Sequence, residues 1–210
     1  MSVAAIATKG TESPSVSTPA FPFDRLHRFS TEQYDRMTQL GMLPRRAELI
    51  EGLIVEKLTP NPPHARAVMR LTKHLSRLIP EPWELLVQGP IALKHSRPEP
   101  DCAILRGPDS RYASRHARPS EIALLIEVGD SSFLDDRRFR LPLYAAEKIA
   151  CIWLVNLVQD QIEVYVNPKS GKHPGYRPPR IYKPGEQVPL IIEGKEIARL
   201  SVSHLCLLED

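Results

Sequence analysis

Nowhere in this chain do about 18 apolar residues follow one another, so the sequence predicts no membrane-spanning helix. Also lacking is a basic start followed by an apolar run. The first 22 residues, MSVAAIATKGTESPSVSTPAFP, are rich in Ser, Thr, Ala and Pro and show no apolar periodicity. They predict a disordered tail over 1–22, no signal peptide, and a cytoplasmic setting. Cysteine is scarce, and Cys102, Cys151 and Cys206 are odd in number, far apart and without C-x-x-C or Cys/His ligand spacing. That argues against a disulfide framework and a zinc site, leaving buried reduced thiols. Strong charge of either sign is missing too: a net +3 and a pI near 8.8 permit a polyanionic partner without demanding one. No internal repeat is visible.

What the chain does have is 210 residues with 42% hydrophobic content, enough for one sizeable core, and a single domain is expected over 23–210. FSTEQYDRMTQLGML opens with Ser30 as N-cap and closes at Gly41, a short capped helix. AELIEGLIVEKL alternates around Gly52 and reads as two strand segments joined by a tight turn or bulge. ARAVMRLTKHLSRLI sets Val68, Leu71, Leu75 and Leu78 at helical spacing. WELLVQGPIALK and DCAILRG read as strands, and IALLIEV is apolar enough to be covered on both faces. A helix around FRLPLYAAEK follows, its start pushed past Asp136 because Pro142 fits only a first turn. CIWLVNLV and QIEVYVNP suggest a hairpin, and the C-terminal stretch suggests short edge strands. Together these predict an α/β (α+β) fold with a mixed central sheet flanked by helices.

Two carboxylates sit where carboxylates are expensive. Asp101 precedes the apolar CAIL, and Glu127 lies near the end of IALLIEV. An isolated buried carboxylate is costly, so each needs a wet cleft, a cation or hydrogen-bond donors. If the strands are neighbours, both can grip one divalent ion; oxygen ligands suit Mg²⁺ or Mn²⁺, which polarise phosphates. Taken singly, either residue reads as a strand-end acid paired with an arginine. Taken in order, a PD and then an E after an apolar run resemble the PD-(D/E)XK nuclease superfamily. More closely, ELIEG, PPH, PEPD, LLIEVGDSS, DDRRFRLPLY and IWLVN, in that order, resemble the Uma2 (DUF820) family of restriction-endonuclease-like proteins.

That resemblance, over about residues 29 to 166, implies a restriction-endonuclease-like core with a metal-dependent nuclease site, Asp101 and Glu127 as metal ligands, and Mg²⁺ or Mn²⁺ as cofactor. It further implies a carboxylate from Glu48 or Glu51, and a site position for His64. The pattern breaks at the lysine. Two residues after Glu127 stands Gly129, and the family arrangement D-x-x-x-K-x-x-x-Y maps onto Asp136, Arg140 and Tyr144, with arginine in the lysine's place. A guanidinium can neutralise charge on a transition state but cannot take a proton. The expectation is therefore a DNA endonuclease of reduced activity, in which Arg140→Lys raises cleavage. The alternative is a silent nuclease-fold module binding DNA or a protein. Lys94 and Lys148 read as solvated lysines.

Two basic loops suggest nucleic-acid contacts. Arg106, Arg111, Arg115 and Arg118 lie around Tyr112; Lys169, Lys172, Arg177, Arg180 and Lys183 lie around Tyr176 and Tyr182. A homodimer is also expected, with CIWLVNLVQDQIEVYV as a candidate self-association surface.

Overall fold

The structure is a computed structural model that describes residues 25–57, 59–129 and 136–206; the tail expected over 1–22 lies outside them. Helix α1 (Thr31–Gln39) begins as its sequence predicts. Ser30 Oγ accepts from Gln33 N, Gln33 Oε1 accepts from Ser30 N, and the chain leaves the helix through Gly41 at φ 67°. Strands β1 (Ala47–Ile50) and β2 (Leu53–Glu56) form an antiparallel hairpin. The two turn residues, Glu51 and Gly52, both have positive φ (49° and 79°), the twist that a two-residue hairpin turn needs. Gly52 is irreplaceable for a second reason: a Cβ there would stand 2.8 Å from the Cβ of Arg28.

Helix α2 (Pro62–Leu78) is capped by Asn61, whose side chain accepts from His64 N at 3.0 Å. Six strands then build the central sheet in the order β3-β4-β5-β6-β7-β8. They are β3 (Trp83–Val87), β4 (Cys102–Arg106), β5 (Ile122–Gly129), β6 (Cys151–Asn156), β7 (Gln161–Val166) and β8 (Arg180–Tyr182). The β5–β6 pair is parallel and the other pairings are antiparallel, so the sheet is mixed. The connection from β5 to β6 passes through a π-turn (Asp136–Arg140) into helix α3 (Leu141–Ala146), with Pro142 in its first turn. The stretch expected as one long strand, WELLVQGPIALK, is a strand only to Val87; Gln88 takes φ 47° and turns the chain, and beyond it Ile91 makes a single bridge to Ala117. Of the C-terminal strands, β8 is the sheet's edge, while β9 (Gln187–Ile192) and β10 (Lys195–Ser201) pair with each other. Helix α4 (Val202–Cys206) follows.

Side-chain alternation along β4, β5 and β6 splits the apolar residues between two cores, as a sheet covered on both faces requires. One face buries Ile104, Leu124, Ile126 and Trp153 against Leu71 and Leu75 of α2, the β9–β10 hairpin and α4. The other buries Leu105, Leu125, Ile152 and Leu154 against Leu141 and Tyr144 of α3. This arrangement corrects one expectation. The apolar segment read as a self-association surface is β6 and β7, inside the sheet, where Ile152, Trp153, Leu154 and Ile162 are 0–1% exposed. Its hydrophobicity fills the cores. Cys102 and Cys206 are buried and Cys151 partly so, all three as free thiols.

Candidate active site

Asp101 is the residue before β4 and Glu127 the third from the end of β5. Carrying the Cys102↔Ile126 register one pair further sets them opposite each other at one end of the sheet. Both are buried, at 2% and 3% exposure, and the hairpin adds a third acid, Glu48 of β1, at 2%. Three buried carboxylates in one region require compensation, and the surrounding elements provide it.

Asp101 receives three donors. Lys57 Nζ lies 3.3 Å from Oδ1, while His64 Nε2 (3.1 Å) and Val128 N (2.9 Å) share Oδ2. Burial alone pushes this carboxyl's pKa up, but the His64 hydrogen bond and the Lys57 charge outweigh it and hold the pKa at about 2. An ionised carboxylate only accepts, so His64 carries its proton on Nε2. The Asn61 cap and the two prolines of PPH fix the helix start that aims this ring.

Glu127 accepts the phenol of Tyr144, and Arg140 Nη1 lies 3.6 Å from the same oxygen. Tyr144 is fully buried, and burial together with the neighbouring Glu127 charge keeps its hydroxyl protonated, its pKa well above the ordinary value. Arg140 also donates to Glu48 Oε2 at 2.8 Å, so one guanidinium bridges the acids of β1 and β5. Glu48 Oε1 accepts Glu99 N at 2.6 Å, and Glu99 O accepts Lys57 Nζ at 2.7 Å. The polar contacts thus run continuously from Glu127 through Arg140, Glu48, Glu99 and Lys57 to Asp101.

Of the residues singled out in the sequence, Asp101, Glu127, Glu48, His64 and Arg140 come together. Glu51 does not. It occupies the exposed hairpin turn, where its backbone carbonyl accepts Arg28 and its Oε1 accepts Ser96 Oγ. The two-residue turn reverses the chain there, carrying Glu51 out of the strand face that holds Glu48. Lys94 and Lys148 are exposed.

Lys57 is the residue that sequence reading missed. Burial opposes its charge, but the fields of Glu127 and Asp101 prevail and raise its pKa, so the ammonium persists at neutral pH. Its signal was the hairpin register. Glu48 pairs with Val55, and Lys57, two residues beyond Val55, falls on the same face. Glu163, a second unforeseen buried group, lies across β6 from Glu127 and accepts Gln161 Nε2 at 3.1 Å and the phenol of Tyr165.

Among the described residues no three His, Cys, Asp or Glu side chains are close enough to hold a metal ion unaided. Mg²⁺ does not require such a cage, since it keeps several waters and binds through one or two carboxylates. The donor chemistry suits it. Three carboxylates, Glu48, Asp101 and Glu127, stand beside two cations, Lys57 and Arg140, an acid-rich oxygen donor set of the kind that attracts a hard cation.

The first basic loop is paired within the protein, and the basic residues of the second are exposed. Arg115 clamps Glu121 through two bonds of 2.6 and 2.7 Å, Arg111 adds a third at 3.4 Å, and Arg106 pairs with Glu193 over the Trp83 ring. Arg118 N also donates to Glu121. The hydroxyls of Tyr112 and Tyr176 bond backbone carbonyls of Arg106 and Ile149. Arg177 and Arg180 are exposed, Arg180 lying over Tyr182; Lys183 is exposed, and its backbone N–H bonds Glu186.

Comparison with known proteins places this geometry. Among curated proteins, none matches the chain. A solved structure titled as a "putative nuclease belonging to DUF820" from Anabaena variabilis ATCC 29413 superposes with a TM-score of 0.60 at 14% identity, over 80% of this chain and 96% of that one. The likeness shows a shared fold, and no helix among the described residues is long and apolar enough to cross a membrane. The profile of one family, described as "Putative restriction endonuclease", matches residues 31–201, most of the 210 residues, and the chain therefore belongs to the Uma2 family.

Proposed function

We propose that this chain is a divalent-metal-dependent endonuclease that hydrolyses DNA phosphodiester bonds at the cluster of Glu48, Asp101, Glu127, Lys57 and Arg140. The observation that carries the reading is that three buried carboxylates and two cations, drawn from β1, the residue before β4, β5, the residue after β2 and the turn before α3, form one connected polar network. A fold needs no such concentration of buried charge for stability, because apolar residues of similar volume serve as well. Hydrolysis of an anionic ester does need it.

Asp101 and Glu127 would hold the Mg²⁺ or Mn²⁺ ion, which supplies charge neutralisation to the phosphate when bound. Lys57, kept protonated, donates a hydrogen bond to the attacking water or to a phosphate oxygen and stabilises charge as the transition state forms. It does not take the proton of the attacking water, which passes to bulk solvent, and the leaving oxygen takes one up from solvent in turn. Arg140 keeps Glu48 and Glu127 at a fixed separation while adding positive charge. His64, its Nε2–H engaged by Asp101, orients that carboxylate. On this reading Lys57 provides the ammonium that Gly129 and Arg140 do not, and the arginine is a bridge rather than a defective lysine. Arg140→Lys therefore lowers cleavage, the reverse of the sequence expectation, because one ammonium cannot span both acids as the planar fork does.

The test is nicking of supercoiled plasmid in Mn²⁺ by the purified chain and by its Asp101→Ala and Arg140→Lys variants. Cleavage by the native chain, lost in Asp101→Ala and reduced in Arg140→Lys, supports the enzyme. No cleavage by the native chain identifies a silent nuclease-fold module instead.

A further inference from the structure

Helix α2 has a second face that the catalytic cluster does not use. Arg66, Arg70, Lys73 and Arg77 recur at intervals of four, three and four residues, and no Asp or Glu occurs between Pro62 and Leu78. At about 1.5 Å per residue they form one cationic stripe of roughly 16 Å, opposite the buried row of Ala67, Leu71 and Leu75. Lys73 and Arg77 are exposed, and Met69, within the stripe, is 70% exposed. Alongside runs a cavity of about 740 Å³ lined by Ala65, Val68, Met69 and Val87 together with Arg66, Arg70 and Lys73.

Position gives this groove its meaning. Ala65 is the neighbour of His64, whose ring touches Asp101, and Gln88, another lining residue, donates its backbone N–H to Asp101 O at 3.1 Å. The groove therefore borders two chain segments that adjoin Asp101: the start of α2 and the end of β3. We infer that this groove is the track of the DNA strand flanking the scissile phosphate, with phosphates along the stripe and bases or sugars against Met69 and Val87. The inference rests on the nuclease reading and adds where the substrate runs. A lining that mixes apolar and cationic side chains matches a nucleotide, which offers a flat weakly polar ring and an anion together. The loop arginines Arg106, Arg111 and Arg115 are paired with Glu193 and Glu121.

The test is fluorescence anisotropy of a labelled DNA oligonucleotide in Ca²⁺ across a salt series, with the native chain, a Lys73→Glu/Arg77→Glu variant, and a Lys169→Glu/Lys172→Glu variant of equal charge change. The α2 variant is expected to bind at least about tenfold more weakly and to lose about two units of salt slope. The loop variant stays within about twofold, and Met69→Glu weakens binding without a loss of slope beyond the one charge added. Native binding that the α2 variant retains, or that the loop variant loses instead, overturns the track, while plasmid nicking tests the enzyme separately. Loss of binding in the α2 variant alongside a native chain that never nicks DNA supports the track and contradicts the nuclease. No native binding overturns the track.

Discussion

Each charged residue at the sheet's end is held in place by an opposite charge or a donor, so single substitutions have directional consequences. Lys57→Met removes the ammonium from Asp101 and Glu99 O; plasmid nicking is expected to fall by about 100-fold, the usual scale for losing a preorganised donor to developing charge. Retained activity in a folded variant would remove Lys57 from the chemistry. Tyr144→Phe deletes the phenol that Glu127 accepts and leaves a buried carboxylate one donor short. Urea denaturation should show a loss of about 1–3 kcal/mol, and an unchanged midpoint would mean that the remaining partners of Glu127 suffice. That Asp101 and Glu127 share one end of the sheet was legible only through the ordered resemblance of the motifs, since a carboxylate on an apolar strand by itself says no more than that it needs a donor or a cation. Lys57 was not: VEKL carries no mark of burial, and only the register fixed by the Glu51-Gly52 turn places it on the face of Glu48.

At the scale of elements, local chemistry aims the site. Asn61 Oδ1 caps α2 by accepting His64 N, so the same bond that starts the helix sets the residue that touches Asp101. Asn61→Ala should cost about 1 kcal/mol in thermal unfolding and should also reduce nicking; a stability loss with full activity would separate the cap from the site. The hairpin is equally constrained. Gly52→Ala brings both a disfavoured φ and a Cβ against Arg28, and it should destabilise the segment that supplies Glu48 and Lys57. The capped helices and the apolar strands β4, β5 and β6 were readable because their periods and caps are local signals. The end of β3 at Val87 and the pairing of β9 with β10 were not, since partner choice among short strands is decided by distant segments. The internal pairing of the first basic loop was hidden for a similar reason. Sequence shows where arginines are, but the acids that neutralise Arg115 and Arg106, Glu121 and Glu193, are identified only by folding.

For the whole molecule, the paired acids set the acid limit of stability. Arg115 holds the Glu121 pKa at about 2, below an ordinary carboxyl at 4.5. A depressed folded-state pKa contributes stability that is present above the unfolded value and lost as pH falls through the folded one. Thermal stability should accordingly be flat near neutrality in this respect and decline as pH drops from about 4.5 toward 2. Arg115→Ala should remove part of that decline, and a pH profile identical to the native one would show that the clamp stabilises nothing. The two cores on either face of the sheet, meanwhile, form a platform that keeps the strand ends and α2 in fixed relation, as a site built from several chain segments requires.

The most direct measurement of the central claim is calorimetric titration of Mn²⁺ into the purified chain and into its Glu127→Gln and Asp101→Asn variants. The account predicts saturable binding by the native chain, abolished in both variants while their folds persist by circular dichroism. Equal Mn²⁺ affinity in all three proteins would contradict it.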